Sequence, residues 1–175
     1  QTECLAQVVT SNPIDPWPKI EQGFVRVIHS ARQYVYIETP YFLPTEPVLF
    51  ALRTAALSGV DVRLMIPRKA DSKFVAWASR SFVKEIADAG VRVLFYDRGF
   101  NHSKLLVSDD LLATIGSTNV DFRSFEHDFE SNVFFYDRAM ALRIKQVFLD
   151  DEADSIPLDQ LREGASRGLL LRLWE

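Results

Sequence analysis

Apolar and polar positions follow two periodicities in the first hundred residues of the chain. Short runs rich in β-branched and aromatic residues predict four strands, at 6–11, 34–40, 60–67 and 91–97. Longer stretches with apolar positions three or four apart predict three helices, near 17–32, at 45–58 and from about 72 to 89. Gly59 and Gly90 are stop signals, and Asp71 or Ser72 can cap the third helix. This order indicates βαβ units and parallel strands.

The second half of the chain has a different pattern. The apolar runs "HSKLLVS" and "LLATIG" are separated by Asp109 and Asp110, which predicts a hairpin with a two-residue turn. Residues 128–137 predict a further strand and 138–154 a helix, while the tail from Ile156 is expected to form a short helix and an amphipathic segment. The expected fold class is α/β: an α/β/α sandwich with a mixed, partly parallel sheet.

Composition narrows the function classes. The 175 residues are 47% apolar and 25% charged, as in an ordinary soluble domain with a real core. With 20 basic and 24 acidic residues, the net charge of −4 offers no broad basic face for nucleic acid or anionic lipid, so phosphate recognition must be local. Cys4 is the only cysteine, which excludes an internal disulfide and a multi-cysteine zinc site.

Neither end of the chain looks like a natural terminus. No run reaches the roughly 18 to 20 apolar residues of a membrane span, and "QTECLAQVV" lacks the features of a signal peptide. The chain does not begin with Met and stops abruptly in "GLLLRLWE". We therefore expect it to be a piece of a longer protein.

The hairpin carries the candidate chemistry. His102 and Lys104 share one face of a strand, with Cα atoms roughly 7 Å apart. A two-residue turn pairs Lys104 with Ile115 and His102 with Ser117, and Asn119 shares that side if the strand geometry persists. An imidazole, an ammonium, a hydroxyl and an amide then meet at one sheet end, which indicates an anion site with an acid or a nucleophile in it.

Two carboxylates complete the candidate set. A working histidine needs a carboxylate to fix its tautomer, and Glu130 is the best candidate because it lies in an otherwise apolar strand. Asp109 sits at the turn with the opposite parity from His102, which favours a structural role. Each residue taken alone is better explained as an ordinary surface group. Their shared spacing favours a site.

Other chemistries have little support. "GSTN" is not a G-x-S-x-G elbow, and the chain has neither a Walker loop nor a dinucleotide-binding glycine motif. His29 falls in a predicted helix and His127 in a predicted loop, where structural roles are favoured. No cluster has metal-ligand spacing, so we expect no metal and no cofactor.

The hairpin matches a known motif. His102, Lys104 and Asp109 fit H-x-K-x-x-x-x-D, and after six intervening residues Gly116 begins G-S-x-N. This resembles the HKD motif of the phospholipase D superfamily. From about residue 6 to the end, "TPYFLP", "ALRTAALSGVDVRLMIP", "DSKFVAWASRSF" and "GSTNVDFRSFEHDFESNVFFYD" are similar to the C-terminal half of bacterial cardiolipin synthases.

The resemblance implies a peripheral enzyme of the bacterial cytoplasmic membrane that joins two phosphatidylglycerols into cardiolipin and releases glycerol. In that family two HKD motifs form one site, with one histidine as nucleophile and the other as general acid. The resemblance implies that His102 is the general acid and that Glu130 orients it. It implies that Asp109 is structural and that Arg123 contacts a headgroup. The residues that it implies bind the phosphate are Lys104, Ser117 and Asn119. Phospholipid, not nucleic acid, is the implied substrate.

One HKD motif is half a site. We expect residues 1–175 to form a single phospholipase D-like domain, with 156–175 as its tail, as the C-terminal catalytic half of a longer enzyme whose other half carries the membrane-spanning segments. The partner is that N-terminal half or a second copy, and the fragment alone is expected to be inactive. Two alternatives remain: a single-motif phosphodiesterase that acts as a homodimer, and a non-catalytic domain that binds phospholipid headgroups.

Overall fold

A mixed eight-stranded sheet forms the centre of the molecule. The computed structural model describes residues 3–161, apart from the side chain of Lys73. The strands are β1 (Ala6–Ser11), β2 (Tyr34–Glu38), β3 (Phe42–Leu43), β4 (Asp61–Pro67), β5 (Arg92–Tyr96), β6 (Leu105–Ser108), β7 (Leu112–Gly116), β8 (Val120–Asp121), β9 (Glu130–Phe135) and β10 (Ser155–Pro157). The helices are α1 (Lys19–Ser30), α2 (Glu46–Leu57), α3 (Lys73–Asp88), α4 (Phe122–Glu126) and α5 (Arg138–Glu152).

The strand order is β1-β9-β7-β6-β2-β4-β5-β10. The predicted βαβ units are confirmed, since β2, β4 and β5 are parallel neighbours. The other pairs of this sheet are antiparallel. The alternation of strands and helices suggested that β1 would join the parallel group. Instead, β1 is an edge strand that pairs with β9 in an antiparallel manner. The sheet is therefore mixed and partly parallel, as predicted.

Side chains alternate between two helical layers. Val35 and Ile37 of β2 pack with α1, α2 and α3 in the larger core. Tyr34 and Tyr36 of the same strand face the other way, where they pack with Phe148 of α5. Because both faces of the central strands are covered, the middle positions of those strands are mainly apolar. The predicted α/β/α sandwich is confirmed.

Local signals account for several helix ends. Ser72, one of the two predicted caps, accepts a hydrogen bond from the Val75 N–H at 3.4 Å. Asp137 caps α5 in the same way, through the N–H of Met140 at 2.8 Å. After α2 the chain turns at Gly59, whose φ of 88° is accessible to glycine at little cost. These short polar and flexible residues set the lengths of the helices.

Four short elements were not predicted. β3 and β8 pair in parallel as a separate two-stranded ribbon, and α4 follows β8 directly. The tail prediction was wrong at its start, because Ser155–Pro157 forms strand β10 against β5. A helical turn follows at 158–161, and the amphipathic segment predicted beyond it lies outside the described residues.

The hairpin register differs from the prediction by one residue. Asp109 and Asp110 do form the turn, with φ values of 54° and 56°, and the Leu111 N–H donates to the carbonyl of Ser108 at 3.0 Å. However, Ser108 pairs with Leu112, so Leu111 is an extra residue, as in a β-bulge. Lys104 consequently lies opposite Gly116. The predicted pairs Lys104–Ile115 and His102–Ser117 are wrong.

Asp109 anchors this turn to the start of β2. Its carboxylate accepts hydrogen bonds from three successive backbone N–H groups, those of Arg32 at 2.7 Å and of Gln33 and Tyr34 at 2.9 Å. Three donors on one carboxylate form a strong, charge-assisted cluster. The turn lies at the opposite end of β6 from His102 and Lys104, which agrees with the structural role expected of Asp109.

We predict that Asp109→Ala lowers the free energy of unfolding by about 2–4 kcal/mol, since three N–H groups lose a charged acceptor. Asp109→Asn keeps an oxygen acceptor and tolerates the left-handed backbone, so its loss should be smaller. Urea denaturation of the three proteins measures this. Equal stability of wild type and Asp109→Ala would show that the cluster contributes nothing.

Candidate functional site

The ends of several neighbouring strands meet on one side of the sheet. Glu38, at the end of β2, lies opposite Leu105, at the start of β6. Gly116 of β7 lies opposite Asn132 of β9, and Glu130 of β9 lies opposite Ser11 of β1. The carboxyl ends of parallel strands in α/β folds are the usual place for ligands. Side chains that follow or precede these positions can therefore converge on one ligand.

His102 and Lys104 are in direct contact, although the strand that was expected to hold them begins only at Leu105. The Lys104 Nζ lies 3.1 Å from Nδ1 and 3.4 Å from Nε2 of His102. It also donates to the His102 carbonyl at 3.0 Å. Both residues precede β6 and do not belong to it. The imidazole is exposed, so a substrate can reach it.

Lys104 is partly buried among carboxylates. Burial lowers the pKa of its ammonium, while the charges of Glu130 and Asp121 act in the opposite direction. Glu130 itself accepts a hydrogen bond from the hydroxyl of Ser117. The structure thus brings Lys104, Ser117 and Glu130 together. Glu130 has Ser117 as its hydrogen-bond partner, and its expected role toward His102 stays a prediction.

Backbone contacts fix Ser117. Its N–H donates to the carbonyl of Ser131 at 3.0 Å, and its Oγ accepts from the Ser131 N–H at 3.0 Å. The preceding Gly116 lies so close to β9 that a Cβ there would collide with the Ser131 carbonyl and the Asn132 side chain. The glycine of "GSTN" is therefore required by the close approach of two backbones.

Asn119 lies on the loop between β7 and β8. Its Nδ2 donates to the Ser124 hydroxyl at 3.1 Å, and its Oδ1 is buried without a hydrogen-bond partner among residues 3–161. The Ser124 hydroxyl can donate as well as accept, so the opposite orientation of the amide keeps this bond and turns the NH₂ group to the unpartnered position. In that orientation the amide can donate to an anion.

A buried acid at this edge was not predicted. Glu38 is 2% exposed. The Asn101 amide joins it to α5, because Nδ2 lies 3.4 Å from Glu38 Oε2 and donates to Asp151 at 3.1 Å. The Asn101 Oδ1 accepts from the Ser103 N–H at 2.8 Å, on the other side of His102. This bridge holds the backbone that presents His102. An acid inside the apolar run "YVYIE" was the available signal.

The bridge contains two carboxylates with altered acidity. Burial raises the pKa of Glu38 to about 7, with a contribution from the charge of Asp151. Burial also raises the pKa of Asp151. Oε1 of Glu38 is buried with no hydrogen-bond partner in the described part of the chain. A proton on this acid is therefore favoured in the folded state.

Two aromatic rings flank His102. The ring of Phe100 lies 5.7 Å from the imidazole, and the ring of Tyr41 meets it edge-on at 6.4 Å. Tyr41 belongs to "TPYFLP", which is joined to the start of β8 because the Thr39 hydroxyl accepts a hydrogen bond from the Val120 N–H at 3.0 Å. Phe42, next in the chain, is a core residue with 1% exposure. This segment thus places Tyr41 beside the site and Phe42 in the hydrophobic core.

The remaining candidates lie outside this cluster. Arg123 on α4 is paired with Asp128 at 3.2 Å, and its headgroup contact stays a prediction. His29 is on α1 and His127 follows α4. Within residues 3–161 no group of three or more His, Cys, Asp or Glu side chains is placed to hold a metal ion.

Comparison with known proteins assigns the family. The family model described as "Cardiolipin synthase, PLD-like domain" matches residues 24–151. This chain belongs to that PLD-like family. A cardiolipin synthase of Staphylococcus aureus strain Mu50 is 44% identical over 169 residues, which cover 97% of this chain and 34% of the relative. The PLD-like domain therefore spans about a third of the length of the relatives it matches.

Solved structures share the fold of the PLD-like domain. A phospholipase D family member, Nuc from Salmonella typhimurium, has a TM-score of 0.76 at 20% identity, with 89% of this chain and 98% of that chain covered. A phosphatidylserine synthase of Haemophilus influenzae has a TM-score of 0.71 at 14% identity, covering 87% and 40%. At these identities the likeness concerns the fold alone. None of the helices in the described range 3–161 is long and apolar enough to cross a bilayer.

Stability of the PLD-like domain should depend on pH through Glu38. Its folded pKa of about 7 exceeds the ordinary value of 4.5, so its contribution to stability is full below pH 4.5 and is lost as the pH rises to 7. In Glu38→Gln this loss, roughly 3 kcal/mol, should disappear. Urea denaturation from pH 4.5 to 8 tests this. Parallel stability profiles of wild type and variant would contradict the prediction.

Proposed function

We propose that this domain supplies one half-site of an enzyme that transfers a phosphatidyl group between two phosphatidylglycerols, giving cardiolipin and glycerol. The observation that carries the proposal is the contact between His102 and Lys104, 3.1 Å apart, beside the Ser117–Glu130 pair. An imidazole next to a cation and a hydroxyl suits a phosphodiester, whose charge needs donors and whose leaving group needs an acid. The 44% identity to a cardiolipin synthase supports the choice of substrate.

The proposed reaction has two steps. In the first, a histidine of the complementary half attacks phosphorus, a P–N bond forms, and the P–O bond to glycerol breaks. His102 gives its proton to the departing glycerol oxygen. In the second, the hydroxyl of another phosphatidylglycerol attacks phosphorus, His102 takes up its proton, and the P–N bond breaks. His102 returns to its protonated form and cardiolipin is released.

Lys104 has two functions in this proposal. Its ammonium lies 3.1 Å from Nδ1 of His102 and so helps to hold the imidazole in place. It also faces the site with Ser117 and Asn119 as a donor to the phosphate oxygens. The carboxylates of Glu130 and Asp121 keep the ammonium charged against the effect of burial. This arrangement needs no metal ion or cofactor.

The proposed reaction needs a second histidine on the opposite side of the phosphorus. His29 lies on α1 and His127 follows α4, on elements other than the segment that presents His102. The exposed imidazole of His102 leaves room for a facing partner. We propose that the partner is the other half of the same polypeptide, since the chain covers 34% of a cardiolipin synthase. A second copy of this chain is the other possible source.

We place the reaction at the cytoplasmic membrane of a bacterium. The relatives are bacterial proteins, and the proposed substrate and product are both membrane lipids. In this proposal residues 1–175 form one catalytic domain, with 156–175 as its tail. Segments outside this chain hold the enzyme at the bilayer.

One observation favours a second candidate function, a phosphodiesterase that acts as a homodimer of single-motif chains. The match with Nuc of Salmonella typhimurium covers 98% of that chain. That solved chain therefore consists of a single domain of this fold. In that case water, not a lipid hydroxyl, would resolve the intermediate.

The 175-residue chain, verified as a monomer, should show no transfer activity, because one histidine cannot act on both sides of the phosphorus. Turnover of phosphatidylglycerol measured across a dilution series tests this prediction. Activity that rises with the square of concentration would indicate the homodimer. Concentration-independent turnover by a monomer would overturn the half-site proposal.

In the full-length protein that contains this chain, His102→Ala should reduce cardiolipin formation by about 10²- to 10⁴-fold, the range for loss of a general acid. His127→Ala, a histidine variant outside the cluster, is the matched control and should retain activity. Mass spectrometry of products from phosphatidylglycerol vesicles measures both. If phosphatidic acid dominates the wild-type products, the protein is a hydrolase and the transferase proposal fails.

A further inference from the structure

Helix α3 exposes two aromatic side chains that no part of the proposed reaction uses. Phe74 is 75% exposed and Trp77 is 64% exposed. Their ring centroids are 6.3 Å apart, so they form one apolar patch on the first turns of the helix. Ser81 and Lys84 continue the same exposed face at helical spacing. Val83 and Ile86 lie on the buried face. The patch is therefore a surface feature of α3 and not an extension of the core.

The charge around this patch opposes that of the whole chain. Residues 68–84 contain five basic residues and one acidic residue, although the net charge of the chain is −4. The acidic residue, Asp71, accepts a hydrogen bond from the Tyr41 hydroxyl. Among the basic residues, Lys69 and Lys84 are exposed, while Lys84 also pairs with Asp88 and Arg68 pairs with Asp97 at 2.7 Å. Exposed aromatic rings surrounded by lysine and arginine are typical of helices that lie in the interface of an anionic bilayer.

The patch lies close to the candidate site. Tyr41 connects them, because its hydroxyl binds Asp71 just before α3 and its ring lies 6.4 Å from His102. A cavity of about 100 Å³ opens between α3 and the sheet, lined by Tyr41, Arg68 and Ala76 among others. Tyr41 is thus the residue that lies between the start of α3 and the imidazole of His102.

We propose that the start of α3, with Phe74 and Trp77 as its contact residues, docks this domain onto a bilayer containing anionic phospholipid. Aromatic side chains of this kind occupy the headgroup level of a membrane. Lys69, exposed just before α3, supplies attraction to the lipid phosphates. Tyr41 lies between this surface and His102, so docking holds headgroups close to the site.

The choice of lipid rests on the proposed function, since phosphatidylglycerol is both the substrate and an anionic component of the surface. The two can nevertheless fail separately, because docking is measured as binding and not as turnover. If His102→Ala leaves full-length activity intact while α3 still binds vesicles, the reaction proposal fails and the docking surface stands.

Vesicle flotation of the 175-residue chain tests the proposal, with vesicles of phosphatidylcholine alone or mixed with phosphatidylglycerol. The wild-type chain should float with the anionic vesicles and lose this binding in high salt. Phe74→Ser with Trp77→Ser should weaken binding by about tenfold or more, the effect of removing two interfacial aromatic contacts. Lys69→Gln with Lys84→Gln should reduce the preference for anionic vesicles.

A matched control lies on α2, where Phe50 and Leu57 are 54% and 75% exposed. Phe50→Ser with Leu57→Ser removes a similar exposed area and should bind vesicles as the wild type does. Thermal denaturation verifies that each variant is folded. Equal loss of binding in both double variants would show that the effect is not specific to α3, and wild-type binding by the α3 variant would overturn the proposal.

A second measurement does not depend on removing the patch. In a chain with Trp17→Phe and Trp174→Phe, Trp77 is the only tryptophan, and brominated phosphatidylglycerol should quench its fluorescence. Absence of quenching would overturn the proposal. So would a result in which the α3 substitutions dissociate a dimer in solution and leave vesicle binding unchanged, because the patch would then be covered by a second copy of the chain.

Discussion

The binding of three backbone N–H groups by the Asp109 carboxylate fixes the position of the hairpin on which the candidate site depends. The contact joins the turn between β6 and β7 to the start of β2. Because strands are stiff, fixing one end of the hairpin also places the other end, where His102 and Lys104 precede β6 and Ser117 follows β7. An aspartate far from the imidazole thus determines where the imidazole lies, which explains how one motif can contain residues at opposite ends of a strand.

The fold was predictable where burial on both faces makes the middle of a strand apolar. The runs at β2, β4 and β5 are such strands, and the helices that follow β2 and β4 have clear stop signals. The register of the hairpin was not predictable. Leu111 is an apolar residue next to an apolar strand, and nothing in its side chain distinguishes a bulge from a paired position. The ribbon of β3 and β8 was missed because two-residue strands have no periodicity.

The site was predictable in its residue types and only partly in its contacts. The spacing of His102 and Lys104 is local, so their proximity was expected, although neither residue lies in strand β6. The hydrogen bond of Glu130 to Ser117 depends on the pairing of β7 with β9, which the sequence pattern alone does not specify. The exposed aromatic pair on α3 was hidden for a similar reason, since Phe74 and Trp77 also fit an apolar helix face. The burial of Glu38 was missed for a different reason. An acid at the end of an apolar run is easily interpreted as the exposed end of a strand, although this one is buried.

The position of β9 has a consequence for how the molecule folds. This strand inserts between β7 and β1, and its pairing with β1 joins residues as distant as Ala6 and Phe135. Such pairing carries a large loop-closure cost and slows folding. During synthesis the N-terminal strand must wait, with its edge unpaired, until most of the chain has left the ribosome. Glu130 lies on that strand, so its hydrogen bond with Ser117 forms only when the sheet is completed.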